Sequence, residues 1–391
     1  MTAARASTAP ARAAGPPLSL RQLNRTTLAR QSLLERSGDE PAAAIHRLAG
    51  LQAQYANSPY IALWSRLRDF AIADLEAALD ARTVVKASAI RNTLHLVAGT
   101  DYPAFSVASG ETRIANWRPS AGRAGLDMAE LHRHLLRFAS EPRTIAEMEA
   151  DLEVLASDAS LAPHVPSGVR HVAFRMASTH GWLVHVPPSG RWGSFAKPRY
   201  VDAGVWLPGA VRPEPAEALR TAAERYLGAY GPASFADIGR WIGQPRLPRV
   251  RDAIDALGDR IRRFSGPDDR ALVDLVDAPI ASGDEAAPAR FLARWDSVII
   301  GYEARDRVLP EALVPAVIVR RNGDFLPSFT VDGFVAGTWS VSSAGGTTTL
   351  EIKPVAAVPR AAKTELTDEA ERLVRFIARD HSPTEVRWAP A

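Results

Sequence analysis

Short amphipathic helices followed by a two-stranded hairpin recur three times along this chain, and that recurrence leaves few folds open. Apolar residues spaced three and four apart give the helices; short β-branched and aliphatic runs give the hairpins. Helices then a hairpin is the order of a winged helix, in which a helix-turn-helix enters a groove and the wing lies beside it. The first unit spans 19–100, with helices over Leu23–Leu34, Ala42–Leu51, Ile61–Leu67 and Ile72–Leu79, and a wing from Val84-Val85 and Thr93–Val97. The second, 101–209, has helices Tyr102–Ile114, Met128–Phe138, Thr144–Leu155 and Val169–His180; its wing pairs Trp182–Val186 with Arg191-Trp192 across Pro188-Ser189-Gly190. The third, 210–278, has helices Ala216–Tyr230, Ser234–Gly243 and Pro248–Leu257, and a wing of Arg260–Phe264 and Ala271–Val276. Thr144 and Ser234 stand where an N-cap belongs, ahead of the second helix of each helix-turn-helix.

The flanking segments read differently. Residues 1–18 are Ala, Pro, Thr and Arg without an apolar stretch, and are expected to be a disordered tail. Residues 279–289 have the composition of a linker, and 290–391 form a β-rich portion with strands Phe325–Val331, Phe334–Val341 and Thr347–Ile352 and a closing helix Thr367–Ala378. The fold class is therefore α+β.

Composition removes several chemistries. There is no cysteine, so no disulfide framework, thiolate zinc site or cysteine nucleophile, and a cytoplasmic location fits. No apolar run reaches the roughly 20 residues of a membrane span. Phosphate-loop, dinucleotide-binding and nucleophile-elbow motifs are missing. His132 and His134 are two apart on a predicted helix and point to different faces, so they are expected on the solvated surface, with no metal and no cofactor. The net charge of +3 does not by itself call for nucleic acid. Only Lys86, Lys197, Lys353 and Lys363 are lysines among 47 basic residues; the arginine excess reads either as coding bias or as phosphate recognition by guanidinium forks.

One stretch stands apart. Gln52 and Gln54 flank a single alanine among apolar neighbours, in a chain with five glutamines. Two apart on a helix they diverge, so convergence on one site needs the helix to end nearby, and Pro59 can end it, with Asn57 and Ser58 taking over free carbonyls. On spacing alone the pair reads either as surface amides at a helix end or as a site.

The chain resembles the AlkZ/YcaQ-like DNA glycosylases, built of tandem winged helices, over nearly its whole length after the tail. The anchors are Gly50-Leu-Gln-Ala-Gln-Tyr-Ala-Asn-Ser-Pro-Tyr-Ile-Ala-Leu-Trp64, Arg91-Asn-Thr-Leu-His-Leu-Val97, Arg294-Trp-Asp-Ser-Val-Ile-Ile-Gly-Tyr-Glu-Ala-Arg-Asp-Arg307 and Val331-Asp-Gly-Phe-Val-Ala-Gly-Thr-Trp339. Arg91-Asn92-Thr93 stands where relatives usually have Arg-Gly-Thr. The resemblance implies a C shape that embraces double-stranded DNA as a monomer. It makes Gln52 and Gln54 the catalytic pair, in the Gln-Gln version of the signature associated with protection of antibiotic producers. The implied reaction is hydrolysis of the N-glycosidic bond of N7-alkylguanine, bulky adducts and interstrand cross-links included. A cationic leaving base needs no proton from the enzyme, and a neutral amide can hold the water.

Candidate DNA contacts are Asn57, Ser58, Arg91, Thr93, His95, Arg191, Arg249, Arg251 and Arg305. His95 reads as a satisfied core histidine before it reads as a DNA contact, and Asp296, Arg305 and Asp306 read first as a structural ion-pair network on a predicted helical stretch. A lyase step would need a lysine near the glutamines; Lys86 is the one candidate in the first unit and reads as a phosphate contact or strand end, so hydrolysis alone is expected. The rival is a winged-helix transcription regulator without catalysis.

Overall fold

The computed structural model describes residues 15–379 and 382–390. Most of the tail expected over 1–18 lies outside these; Pro17 and Leu18 run beside the third wing, where Leu18 N donates to Ser265 O at 2.7 Å. Ser19 and Gln22 then close a reciprocal cap that starts the helix Leu20–Arg30. The remaining helices of the first unit are Pro41–Arg47, Ser58–Trp64 and Ile72–Asp80.

The wings of the first two units do not stand alone. Strands β1 (Leu51–Gln52), β2 (Val84–Ser88), β3 (Leu94–Ala98), β4 (Arg143–Thr144), β5 (Leu183–His185) and β6 (Arg199–Asp202) form one sheet in the order β1-β3-β2-β5-β6-β4. The outer edge of β2 would otherwise expose unpaired N–H and C=O groups, and β5 covers it with Lys86 opposite His185 and Ala87 opposite Val184. The partner of β5 is β6, not the expected Arg191-Trp192. Pro187 and Pro188 end β5, and Trp192 is drawn away to pack edge-on against Tyr60 and Phe376, at 5.5 and 5.6 Å between centroids.

The third wing, β7 (Ile261–Ser265) and β8 (Ala271–Leu275), is a two-stranded hairpin within a residue of the expected strands, with Ile261 opposite Leu275 and Ser265 opposite Ala271. Thr144 and Ser234 do cap their helices, each in a reciprocal box with Glu147 and Asp237. The segment 279–289 is strapped to the first helix: Arg21 Nε donates to Gly283 O at 2.8 Å and Arg25 Nε to Glu285 O at 2.7 Å.

In the C-terminal portion, β9 (Arg290–Leu292) joins a five-stranded sheet. A short pair, β10 (Ile318–Val319) and β11 (Asp324–Phe325), precedes β12 (Ser328–Val331), β13 (Phe334–Ala344), β14 (Thr347–Pro354) and β15 (Thr384–Trp388). Pro327 splits the run expected as one strand over 325–331, because proline cannot donate to the ladder. The closing helix is Arg360–Ala378, beginning after Pro359, and β15 returns parallel to β14. The long helix Pro215–Tyr230 passes through the main core, where Tyr226 and Tyr230 pack on Trp241 and Tyr302.

His132 is buried, not solvated: it stacks on His180 at 5.1 Å and its Nδ1 donates to Ala177 O, so burial pushes its pKa down to about 3. The stretch after Asp296 is helical only over Ser297–Ile300, so no network joins Asp296, Arg305 and Asp306. Asp296 instead caps that short helix and forms a fully buried bidentate pair with Arg66, while Asp306 lies 3.8 Å from Arg270.

Candidate active site

The glutamine stretch is extended. The preceding helix ends at Arg47, and Ala49 and Gly50 turn with positive φ (56° and 96°), which delivers Leu51–Gln52 as β1 against β3, Gln52 opposite His95. A Cβ on Gly50 would meet Val97 and the Leu96 carbonyl at 3.0 and 3.3 Å, so the close approach and the left-handed backbone both demand glycine. Ala53 N donates to Leu94 O at 2.7 Å and continues the ladder. Pro59 does not terminate a helix, as the sequence suggested; it opens the next one, Ser58–Trp64, in the first turn where its missing N–H costs nothing.

Gln52 is buried, and its Oε1 accepts from Arg91 Nη2 at 3.2 Å. The other arm of Arg91 donates to Trp241 O at 3.4 Å, near the C-terminal end of the helix Phe235–Ile242, where a cation is favoured. Arg91 and Asn92 are both left-handed, with φ of 52° and 57°. Asparagine is among the few residues besides glycine that accept this conformation readily, which explains how the tip of the first wing turns without a glycine. Burial, with Arg240 and Arg305 nearby, pushes the Arg91 pKa down to about 10. His95 is buried too; burial first and the Arg91 charge second push its pKa down to about 3. Its Nδ1 donates to Thr93 O at 2.9 Å, so the neutral ring keeps its lone pair on Nε2.

Gln54 lies on the open side. It lines a cavity of about 410 Å³ between the first wing and the second unit, with Ser88, Asn92 and Thr93 on one wall. Trp117, Phe174 and Tyr200 supply aromatic surface, and Arg113, His171 and Arg175 supply polar groups. No carboxylate and no lysine is among the described residues that line it.

Of the other candidates Thr93 belongs to the cavity wall, and the rest scatter. Asn57 Oδ1 accepts from Gly193 N at 2.7 Å and ties the loop after β5 to the first unit, while Ser58 is buried. Arg191 is paired with Asp80 at 2.6 Å, and Arg249 with Glu111 at 2.5 Å. Arg251 lies over the Phe235 ring, and Thr93 Oγ1 donates to Ile90 O. Arg305 sits over Phe325 with its buried Nε unpartnered among the described residues.

The family described as "DNA glycosylase AlkZ-like" matches residues 45–376. The chain belongs to the AlkZ-like DNA glycosylase family. It is an enzyme that acts on DNA, which removes the regulator reading. An interstrand DNA cross-link repair glycosylase of Streptomyces sahachiroi is 25% identical over 343 residues, covering 83% of this chain and 88% of that protein. The solved structure of Streptomyces sahachiroi DNA glycosylase AlkZ superposes with a TM-score of 0.78 at 22% identity, covering 95% of this chain and all of that one, and confirms the fold. Among the described residues of this AlkZ-like chain no helix is long and apolar enough to cross a membrane.

The cavity wall contributed by the second unit was not anticipated from the sequence. A signal for it exists: Arg113 and Trp117 are four apart on the helix Gly110–Arg123, and His171, Phe174, Arg175 and Ser178 share one helical stripe. Only the pairing of β2 with β5 reveals that both stripes line the cavity beside Gln54.

Proposed function

We propose that this glycosylase hydrolyses the N-glycosidic bond of N7-alkylguanine in double-stranded DNA, as a monomer, leaving an abasic site. The observation that carries this reading is the make-up of the cavity beside Gln54: amides, hydroxyls, arginines and aromatic rings, but no carboxylate among its described residues. With no carboxylate among the described residues lining the cavity there is no anion beside Gln54 to stabilise an oxocarbenium-like sugar, so the leaving group must already be activated; the imidazole of His171, paired with Glu149 at 2.7 Å, belongs to the opposite wall contributed by the second unit. A guanine alkylated at N7 is cationic and meets that need. His95, kept neutral by burial and the Arg91 charge, supplies no anion in place of a carboxylate. The cavity also lacks a lysine among its described residues, and Lys86 is the one lysine near the glutamines along the chain, which favours hydrolysis without strand cleavage.

The cross-link repair in the relative's name extends the proposed range to bulky and cross-linked N7 adducts, in base excision repair or in self-protection against a DNA-alkylating antibiotic. The test is an excision panel under single-turnover conditions: N7-methylguanine, a bulky N7 adduct, an N7 cross-link, and neutral lesions such as uracil. Release of the cationic bases with no release of uracil supports the reading. Efficient uracil release, or a borohydride-trapped protein–DNA adduct, overturns it.

A further inference from the structure

The two glutamines are not equivalent, and Arg91 makes the difference. A guanidinium has donors only, so the end of the Gln52 amide that faces Arg91 Nη2 at 3.2 Å must be the oxygen. Amide orientation is ordinarily ambiguous, because oxygen and nitrogen have nearly the same shape; here the partner's chemistry fixes it. The remaining end, Nε2, has no hydrogen-bond partner among the described residues. Gln54 makes no hydrogen bond with the described residues either, but it is exposed to the cavity, so both ends of its amide are available.

Arg91 is held firmly enough to impose this polarity. Its backbone is left-handed, and a Cβ on Gly243, the C-cap of the helix Phe235–Ile242, would come within 3.1 Å of the Arg91 Cα. The first wing tip is thus wedged against the third unit. The Trp241 carbonyl holds one arm of the guanidinium and aims the other at Gln52.

We propose that Arg91 is a positioning residue that fixes the polarity of the Gln52 amide, making Gln52 a hydrogen-bond donor and leaving Gln54 as the acceptor that holds the nucleophilic water. This rests on the hydrolysis of a cationic lesion put forward above. The water donates one O–H to Gln54 Oε1 while its oxygen forms the bond to C1′. The C1′–N9 bond breaks, its electron pair neutralises the departing alkylguanine, and the excess proton of the attacking water passes to solvent. Gln52 Nε2 donates toward the sugar or the departing base and accepts nothing.

The decisive comparison is between two isosteric changes, Gln52→Glu and Gln54→Glu, each assayed on N7-methylguanine DNA under single turnover. A carboxylate at 52 meets Arg91 but removes the donor; at 54 it keeps the acceptor. The Gln54→Glu rate should exceed the Gln52→Glu rate by about 100-fold or more. Equal losses, or the reverse order, overturn the division of roles. Arg91→Ala should lower the single-turnover rate by about 10- to 100-fold, with DNA affinity and its salt dependence unchanged and partial rescue by Arg91→Lys. Weakened binding with a salt slope reduced by about one, at an unchanged rate, would instead make Arg91 a phosphate contact and overturn the proposal. If Arg91→Ala fails to fold, the glutamate pair still decides. Failure of the wild-type protein to release N7-methylguanine defeats the underlying reading, whereas release with equal glutamate variants defeats only this one.

Discussion

The first and third wings are hairpins of the same size, two strands of five residues each, yet they are built for different work. Both edges of the first are covered, by β1 and β5, and its tip packs at Arg91 against Gly243 of the third unit. The third is a two-stranded sheet of its own, met at its edges among the described residues only by single bridges, Pro17 to Ser265 and Ala233 to Val273. Its arginines all have acidic partners: Arg260 pairs with Glu224 at 2.7 Å, Arg263 with Asp255 at 3.5 Å and Arg270 with Asp306 at 3.8 Å, while Arg262 at 3.4 Å shares Asp274 with Arg30. Arg91 on the first wing has no acidic partner among the described residues, and spends its donors on Gln52 and a helix end instead. A guanidinium already matched by a carboxylate has little left to offer a substrate; an unmatched one held in place can orient a reacting group. The comparison locates the chemistry at the first wing and gives the third a supporting part.

The largest effect expected from that contrast is structural. Asp274 on the third wing is fully buried and takes both arms of Arg30 at 2.9 and 2.8 Å. Asp274→Ala strands Arg30 without its counter-charge and should cost about 3–5 kcal/mol, measured by denaturant unfolding. Protein that remains folded should excise at a rate within about threefold of wild type. A rate collapse in folded protein would erase the distinction between the wings.

Next in size come the glutamines. Gln52→Ala and Gln54→Ala should each reduce the single-turnover rate by roughly 10- to 10³-fold while DNA affinity stays within about threefold. Arg263→Ala on the third wing, an exposed pair worth little, should change neither by more than about twofold. Unchanged excision in both glutamine variants would remove the site from the first wing.

How far the sequence disclosed this arrangement follows from the range of the forces involved. Caps and turns act within four residues, so Thr144, Ser234 and the third hairpin could be read directly. The glutamines could be singled out as unusual, but their extended backbone could not: apolar periodicity over Ala42–Leu51 suggested a helix, and pairing with β3 overrode it after Arg47. Trp192 and His132 failed for the same reason. Each was assigned from its neighbours in sequence, whereas Trp192 answers to Tyr60 and Phe376, and His132 to His180 and the Ala177 carbonyl. The opposite wall of the cavity depends on an edge-to-edge strand contact almost a hundred residues apart, which no local pattern encodes.

Acid should discriminate between the wings. His95 and His185 both lie in the sheet that contains the first wing, and burial pushes each pKa down from 6.5 to about 3. The third wing contains no histidine. Such a histidine is protonated in the unfolded chain before it is in the fold, so its stabilising contribution is complete above about pH 6.5. It is lost as pH falls toward about 3. At pH 5 this amounts to on the order of 1–2 kcal/mol for each residue. Amide exchange should show β3 losing protection before β7 as pH is lowered from 7 to 5. Equal loss in both would mean that the histidines are not held neutral.

The smallest expected effect sharpens the contrast most. Each wing tip carries a left-handed residue that is not glycine: Asn92, with φ of 57°, and Asp269, with φ of 54°. Glycine relieves the steric cost of that conformation but loses more entropy on folding, so Asn92→Gly and Asp269→Gly should each change stability by no more than about 1 kcal/mol. On stability alone the two substitutions are twins. They differ in what the side chain faces: both are exposed, but Asn92 lines the cavity with Trp117, Arg113 and Gln54, whereas Asp269 stands at the tip of the third hairpin, away from that cavity. Asn92→Gly should therefore shift the ratio of excision rates between N7-methylguanine and a bulky N7 adduct by about threefold or more, and Asp269→Gly should leave that ratio as it is. A ratio unmoved by Asn92→Gly would mean that the first wing serves the reaction through Arg91 and the glutamines, with the cavity side of its tip taking no part in selecting the lesion.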